Sequence, residues 1–245
     1  MTSVYKYAYN VYGDRNRIGD DMEIKNPLYQ NQGIHVIASI FTVDKGITKV
    51  LLIKRKNKPY NDMWALVGGA LYNNETLLDG MKREIKEKLG ITIETLEEIK
   101  TFSRIDRSPL MRMLAVSYIG IIDVTKVNIL KETLKTKDAD WFPIEEVKEL
   151  AYDHNEILEE SIKVLKKRIV NSVILNSLYP DGFTIPEIQK TYEAILDKKF
   201  DRRNFRKKLL STKLIYDTNI TKTFKGTKPA KIYKFIDKEI DENVF

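Results

Sequence analysis

The stretch Gly69–Ile91, GALYNNETLLDGMKREIKEKLGI, decides the fold. It is a Gly-Gly turn (Gly68-Gly69) followed by a helix expected over Thr76 to Leu89. Leu77, Leu78, Met81, Ile85 and Leu89 recur at helical spacing, and Gly90 stands where a helix C-cap glycine belongs. Glu84, Glu87 and Lys88 are three and four residues apart and share one helix face. Carboxylates gathered there suit a hard divalent cation such as Mg²⁺, which prefers oxygen ligands and a pyrophosphate to share.

The spacing of Gly69, Glu75, Arg83, Glu84, Glu87 and Gly90 resembles the Nudix box, G-x5-E-x7-R-E-apolar-x-E-E-x-G-apolar. One position departs. The last glutamate of the pattern, which the family uses as a metal ligand, is Lys88 here. An ammonium at about 4 Å from a divalent ion costs roughly 8 kcal/mol at an effective dielectric near 20, an upper bound for a flexible side chain. Glu84 and Lys88 also stand in the favourable order for an i,i+4 ion pair, worth about 0.3–0.5 kcal/mol. The box therefore reads as a retained scaffold whose catalytic power is weak or lost. No cofactor is required on this reading. Mg²⁺, held by Glu84 and Glu87 with Glu84 in the catalytic role, belongs to the rival reading of an active ADP-ribose pyrophosphatase-type hydrolase.

Working outward, residues 33–43 and 49–55 read as strands joined by Asp44-Lys45-Gly46. Glycines at Gly68 and Gly69 let the backbone approach a ligand closely. Two further strands are expected from Glu97 to Ile105 and from Met113 to Ile122. The loop between them carries Arg104, Arg107 and, just beyond, Arg112. It resembles an Asp-Arg-rich loop of Nudix-type regulators, and these guanidinium groups suit either ligand phosphates or structural ion pairs. Asp140-Trp141-Phe142-Pro143 resembles the segment near the end of Nudix domains. Asp153-His154-Asn155 caps a helix running to about Lys167, and His35 and His154 read as structural. Residues 1–32 read as an arm packing on this domain.

From Ile169 the grammar changes. An amphipathic helix is expected around Val170, Val173, Ile174 and Leu178. Thr184 then caps a helix running to Leu196, and Asp201 caps another from Arg202 to about Ser211, with Phe205, Leu209 and Leu210 facing inward. Strands over Leu214 to Thr218 and Ala230 to Ile236 close a winged helix-turn-helix. Charge supports a phosphate-rich partner: Lys198 to Lys234 contain thirteen Lys or Arg against Asp201 and Asp217, a net of +11, in a chain whose total is +7. A winged helix used for protein contact is the competing reading of this block.

Phe200 to Leu210 and Lys225 to Tyr233 resemble the recognition helix and wing of Nudix-related transcriptional regulators. The resemblance implies an α+β protein, a Nudix α/β/α sandwich over residues 33–168 followed by a winged helix over 169–245. It implies a homodimer on a palindromic double-stranded operator, responsive to ADP-ribose or a related nucleotide or sugar. Arg203 and Asn204 are the candidates for base edges, and Arg202, Arg206, Lys207, Lys225 and Lys228 for phosphates or the minor groove. Gly68, Gly69, Arg104, Arg107 and Arg112 are the candidate effector contacts. The chain has no cysteine, no apolar run near the roughly 20 residues of a membrane span, and no signal-type leader, so a cytoplasmic protein is expected.

Overall fold

The computed structural model describes residues 32–169, 174–223 and 229–236. The expected arm, the start of the helix at Val170, and Lys225 and Lys228 of the wing lie outside the described residues.

Strand β1 (Gln32–Asp44) turns through Lys45-Gly46, both at positive φ, into the antiparallel β2 (Ile47–Arg55), with Val43 opposite Thr48. β3 (Trp64–Ala65) pairs with β2, and β4 (Val67–Ala70) pairs with the first half of β1, Val36 facing Gly69 and Ile37 facing Gly68. β5 (Glu97–Phe102) pairs with β6 (Arg112–Ile121), and β7 (Thr136–Pro143) with β2. The main path of the sheet runs β3-β2-β1-β6-β5.

Alternation along the strands sends successive residues to opposite faces. Val36, Ala38 and Ile40 of β1 join Leu51 and Ile53 of β2 under α1 (Leu77–Leu89), which contributes Met81, Ile85 and Leu89. Ile37 and Phe41 join Val50 and Leu52 on the other face, under α2 (His154–Arg168) with Ile157, Leu158 and Leu165. The result is the expected sandwich, a sheet between two helices. Leu78 of α1 is exposed rather than inward.

The second core cluster does not stop at α2. It continues through Ile174 and Leu178 of a 3-10 helix (Ile174–Leu178), then α3 (Ile185–Leu196) with Ile188 and Tyr192, and α4 (Arg202–Ser211) with Phe205 and Leu209. Phe183, Tyr233 and Phe235 complete it. The described part of the first expected helix is thus a 3-10 turn. Thr184 caps α3 through a full capping box: its hydroxyl accepts from the Glu187 N–H while the Glu187 carboxylate accepts from the Thr184 N–H. β8 (Ile215–Lys222) and β9 (Ala230–Phe235) form the wing, Ile215 facing Phe235. Leu210, expected inward, is exposed on α4.

Candidate effector pocket and nucleic-acid interface

The box folds as a clamp. Thr76 caps α1, its hydroxyl accepting from the Asp79 N–H, and Gly90 ends the helix at φ +73°, where a side chain would be strained. Arg83 donates from Nε and Nη2 to both oxygens of Glu75 at 2.8 and 2.7 Å, from Nη2 to the Ala70 carbonyl, and from Nη1 to Glu84 at 2.6 Å. It also lies over the Tyr72 ring. Glu75 in turn accepts from the Tyr72 N–H, and these hydrogen bonds, Arg83 first, hold its carboxyl down at about 2. Glu75 and Arg83 therefore tie the loop to the helix, which accounts for their spacing in the sequence.

Glu84 is buried against the glycine pair, which lies in strand β4 and not in the expected turn. A Cβ on Gly69 would lie 2.2 Å from the Glu84 carboxyl carbon, and one on Gly68 would lie 2.4 Å from the Val36 carbonyl. Glycine is required at both positions by close approach. Lys88 stands 3.1 Å from Glu84 Oε2 and donates to the Gly68 carbonyl. Lys135, from the loop before β7, lies 2.5 Å from Glu87 and 3.9 Å from Glu84. Burial pushes the Glu84 carboxyl up, but Lys88 and Arg83 outweigh it and the net shift is down.

Three acids (Glu75, Glu84, Glu87) thus face three cations (Arg83, Lys88, Lys135), and the cluster is neutral without a metal. A divalent ion at Glu84 would have to displace a buried ammonium. The carboxylates expected as metal ligands, Glu84 and Glu87, therefore do not fit Mg²⁺ as they stand. Among the described residues no group of three or more His, Asp or Glu is placed to hold a metal.

The arginine loop folds back on itself. Arg107, a candidate for either ligand phosphates or a structural ion pair, is buried and donates from Nε and Nη2 to the two oxygens of Asp153 at 2.9 and 2.8 Å. Of the two roles, the structure gives Arg107 the ion pair, with a side chain about 3% exposed. The pair also explains why Asp153, at the N-cap position of α2, makes no side-chain cap bond. Arg112 donates to the Ser103 and Arg104 carbonyls, and exposed Arg104 pairs with Asp106 and Glu156. β5 ends at Phe102, short of Ile105, because the chain leaves the sheet there to form this loop. His154 Nδ1 accepts from the Leu66 N–H at 3.0 Å, so His154 is structural, as expected.

A small cavity of about 160 Å³ opens beside Lys88, walled by Ile53, Arg55, Lys56, Asn57 and Lys135. Arg55, Lys56 and Lys135 carried no motif. The β2–β7 register, which sets Arg55 opposite Thr136, brings them together.

In the second domain Asp201 accepts from the N–H groups of Arg203 and Asn204 and caps α4. Phe205 packs on Tyr192 and Phe200, which fixes the opposite face outward. That face presents Arg202, Arg203, Asn204, Arg206 and Lys207, all exposed. Their side chains make no hydrogen bond or ion pair with any described residue, whereas Arg83, Lys86 and Lys88 of the box are engaged.

The two parts are a sandwich with an internally neutralised acid cluster and a winged helix with an uncompensated basic helix. Comparison with known proteins places them. Residues 33–163 match the NUDIX domain model and residues 176–235 the NrtR DNA-binding winged helix domain model. The chain belongs to the Nudix family, in the branch that carries an NrtR winged helix. It is 28% identical over 219 residues to the ADPR responsive transcriptional repressor NtrR of Acinetobacter baylyi, covering 88% of this chain and 86% of that protein. It is 31% identical over 160 residues to an ADP-ribose pyrophosphatase of Methanocaldococcus jannaschii, covering 64% of this chain and 90% of that one. Shewanella oneidensis NrtR, crystallised with a 27mer DNA, superposes with a TM-score of 0.70 at 25% identity, over 83% of this chain and 94% of that one.

Proposed function

We propose that this chain is a transcriptional repressor that binds duplex DNA through α4 and the wing and responds to ADP-ribose bound by its Nudix domain. The carrying observation is the unpartnered basic face of α4 in a winged helix of the NrtR type. ADP-ribose is preferred to a sugar because the names of the two relatives described above carry it. Arg203 and Asn204 read base edges, and Arg202, Arg206 and Lys207 hold phosphates; Lys225 and Lys228 are assigned to the backbone by sequence alone. The working unit is a homodimer on a palindromic operator in the cytoplasm. No helix among the described residues is long and apolar enough to cross a membrane.

The test is fluorescence anisotropy on a duplex selected by the protein from a random pool. A dimer neutralising about 6–10 phosphates loses roughly 10³–10⁵-fold in affinity between 50 and 200 mM salt. Arg203→Ala costs about 1–3 kcal/mol and relaxes one position of the site, whereas Lys207→Ala weakens all sequences alike. ADP-ribose shifts the affinity by about 5–150-fold, the usual range of a coupling free energy. Binding indifferent to salt, or unchanged by ADP-ribose at saturating concentration, refutes the corresponding half of the reading.

The similarity to a pyrophosphatase favours a second reading, Mg²⁺-dependent hydrolysis of ADP-ribose. Against it stands the Lys88 ammonium at Glu84. The repressor reading expects slow turnover at most, rising in Lys88→Glu. Fast wild-type turnover that Glu84→Gln abolishes would establish the hydrolase.

A further inference from the structure

We propose that Lys88 is a built-in cation whose ammonium, seated between the Gly68 carbonyl and the Glu84 carboxylate, makes the adjoining pocket a metal-independent diphosphate site. The inference rests on reading the first domain as the binder of a diphosphate-containing effector, and goes beyond it by assigning the charge that holds the diphosphate. A backbone carbonyl and a buried carboxylate are the hard oxygen donors that a divalent ion would take. Here both are engaged by one primary amine, which is nearly enclosed.

The pocket beyond that amine is built for an anion. Its walls carry four cations (Arg55, Lys56, Lys88 and Lys135) and no carboxylate. Its 160 Å³ equals roughly five waters at about 30 Å³ each, room for a diphosphate group. Arg55 is held by neutral acceptors, the Pro59 carbonyl at 3.1 Å and the Tyr152 hydroxyl at 3.3 Å, and so keeps its charge uncompensated by direct contact. The ring of Tyr152 under its guanidinium fixes its plane. Lys56 and Lys135 lean on Glu132 and Glu87. Both carboxylates are exposed, so an incoming anion releases them into water at little cost.

In a metal-using site the acids stay free until the ion arrives, and the ion then bridges to the phosphates. In this chain the acids are neutralised by ion pairs to side chains of the same helix and of a neighbouring loop. The phosphates would then be met by guanidinium and ammonium groups directly, as charge-assisted hydrogen bonds.

The experiment titrates inorganic pyrophosphate into the full chain in EDTA by calorimetry, and separately follows Mn²⁺ binding by electron paramagnetic resonance. Wild type is expected to bind pyrophosphate in EDTA and to leave Mn²⁺ free. Lys135→Gln, a change at an exposed lysine, weakens pyrophosphate by on the order of tenfold. Lys88→Glu loses pyrophosphate binding in EDTA, gains a Mn²⁺ site, and melts at a higher temperature with Mn²⁺ than without. Stoichiometric Mn²⁺ on wild type, or pyrophosphate binding that appears only with a divalent metal, overturns the proposal without recourse to any variant. These readouts are independent of DNA. A chain that binds pyrophosphate in EDTA but ignores ADP-ribose on the operator supports this site and refutes the effector reading instead.

Discussion

Replacing Arg107 by Met strands the carboxylate of Asp153 in the interior. The two side chains are about 3% and 2% exposed and are joined by two parallel hydrogen bonds. Removing one member of such a pair leaves an uncompensated buried charge, at a cost of about 3–5 kcal/mol. For a chain of this size each kcal/mol lowers the melting temperature by roughly 2–4 °C, so a fall of about 6–20 °C is expected. Asp153→Leu should do the same from the other side. The double variant, Arg107→Met with Asp153→Leu, removes both charges and both desolvation costs, and should melt well above either single variant. Circular dichroism melts of the four proteins close the cycle. ADP-ribose affinity, measured on each variant well below its melting temperature, should stay within about threefold of wild type, a loss of under about 1 kcal/mol. If Arg107→Met melts within about 2 °C of wild type while ADP-ribose affinity falls tenfold or more, the guanidinium serves the ligand and the structural assignment is wrong.

Three further outcomes follow from local geometry. Burial, aided by the positive charge of Arg107, lowers His154 to about 3 and His35 to about 4. Both folded values lie below the unfolded value near 6.5, so the stability they contribute is complete above about pH 6.5 and is lost as pH falls toward 3–4. Unfolding free energies from urea titrations should decline between pH 6.5 and 4.5, by up to a few kcal/mol in all, and His154→Asn, which keeps an acceptor for the Leu66 N–H, should flatten that decline. Thr184→Ala breaks the capping box of α3 and should cost about 1 kcal/mol in urea titrations. Gly69→Ala sets a methyl group 2.2 Å from the Glu84 carboxyl carbon, and should cost about 1–3 kcal/mol and weaken pyrophosphate binding by displacing Glu84 from Lys88.

The parts of the molecule legible in the sequence are those fixed by short-range rules. The spacing of Glu75, Arg83, Glu84 and Gly90 encodes one helix and its clamp, whereas the Gly68-Gly69 pair expected as a turn lies in β4; the i,i+4 relation of Glu84 to Lys88 announced the ion pair found at 3.1 Å. Thr184 and Asp201 announced their caps because a capping side chain reaches only two or three residues onward. What stayed hidden depends on partners far along the chain. Arg107 meets a carboxylate 46 residues away, and nothing local separates a guanidinium meant for a phosphate from one meant for Asp153. Arg55 and Lys56 reach Lys135 only through the register of β2 on β7. Helix faces were legible except at their margins, where Leu78 and Leu210 look inward on a wheel but are exposed in the fold.

How the two halves communicate is constrained by how they are joined. The exposed Lys126–Asp181 pair at 2.9 Å spans the sandwich and the winged helix, but such pairs contribute about 0–1 kcal/mol. The union rests instead on apolar packing. Phe41, Val50 and Leu52 of the sheet share one cluster with Leu175, Ile188, Tyr192 and Phe205. β2 faces that cluster with alternate residues and ends at Arg55, on the wall of the cationic pocket. A diphosphate gripped by Arg55 and Lys88 therefore acts on a strand whose far side is the floor of the DNA-reading domain. Close-packed cores do not bend by degrees; they move between discrete packings. An effector can shift that choice only by its difference in affinity for the two packings. The exchange of a mobile metal for a tethered ammonium suits this role. A tethered charge reports the presence of the ligand alone, independent of metal supply, and passes the strain of binding to α1 and β2 rather than to an ion that can leave.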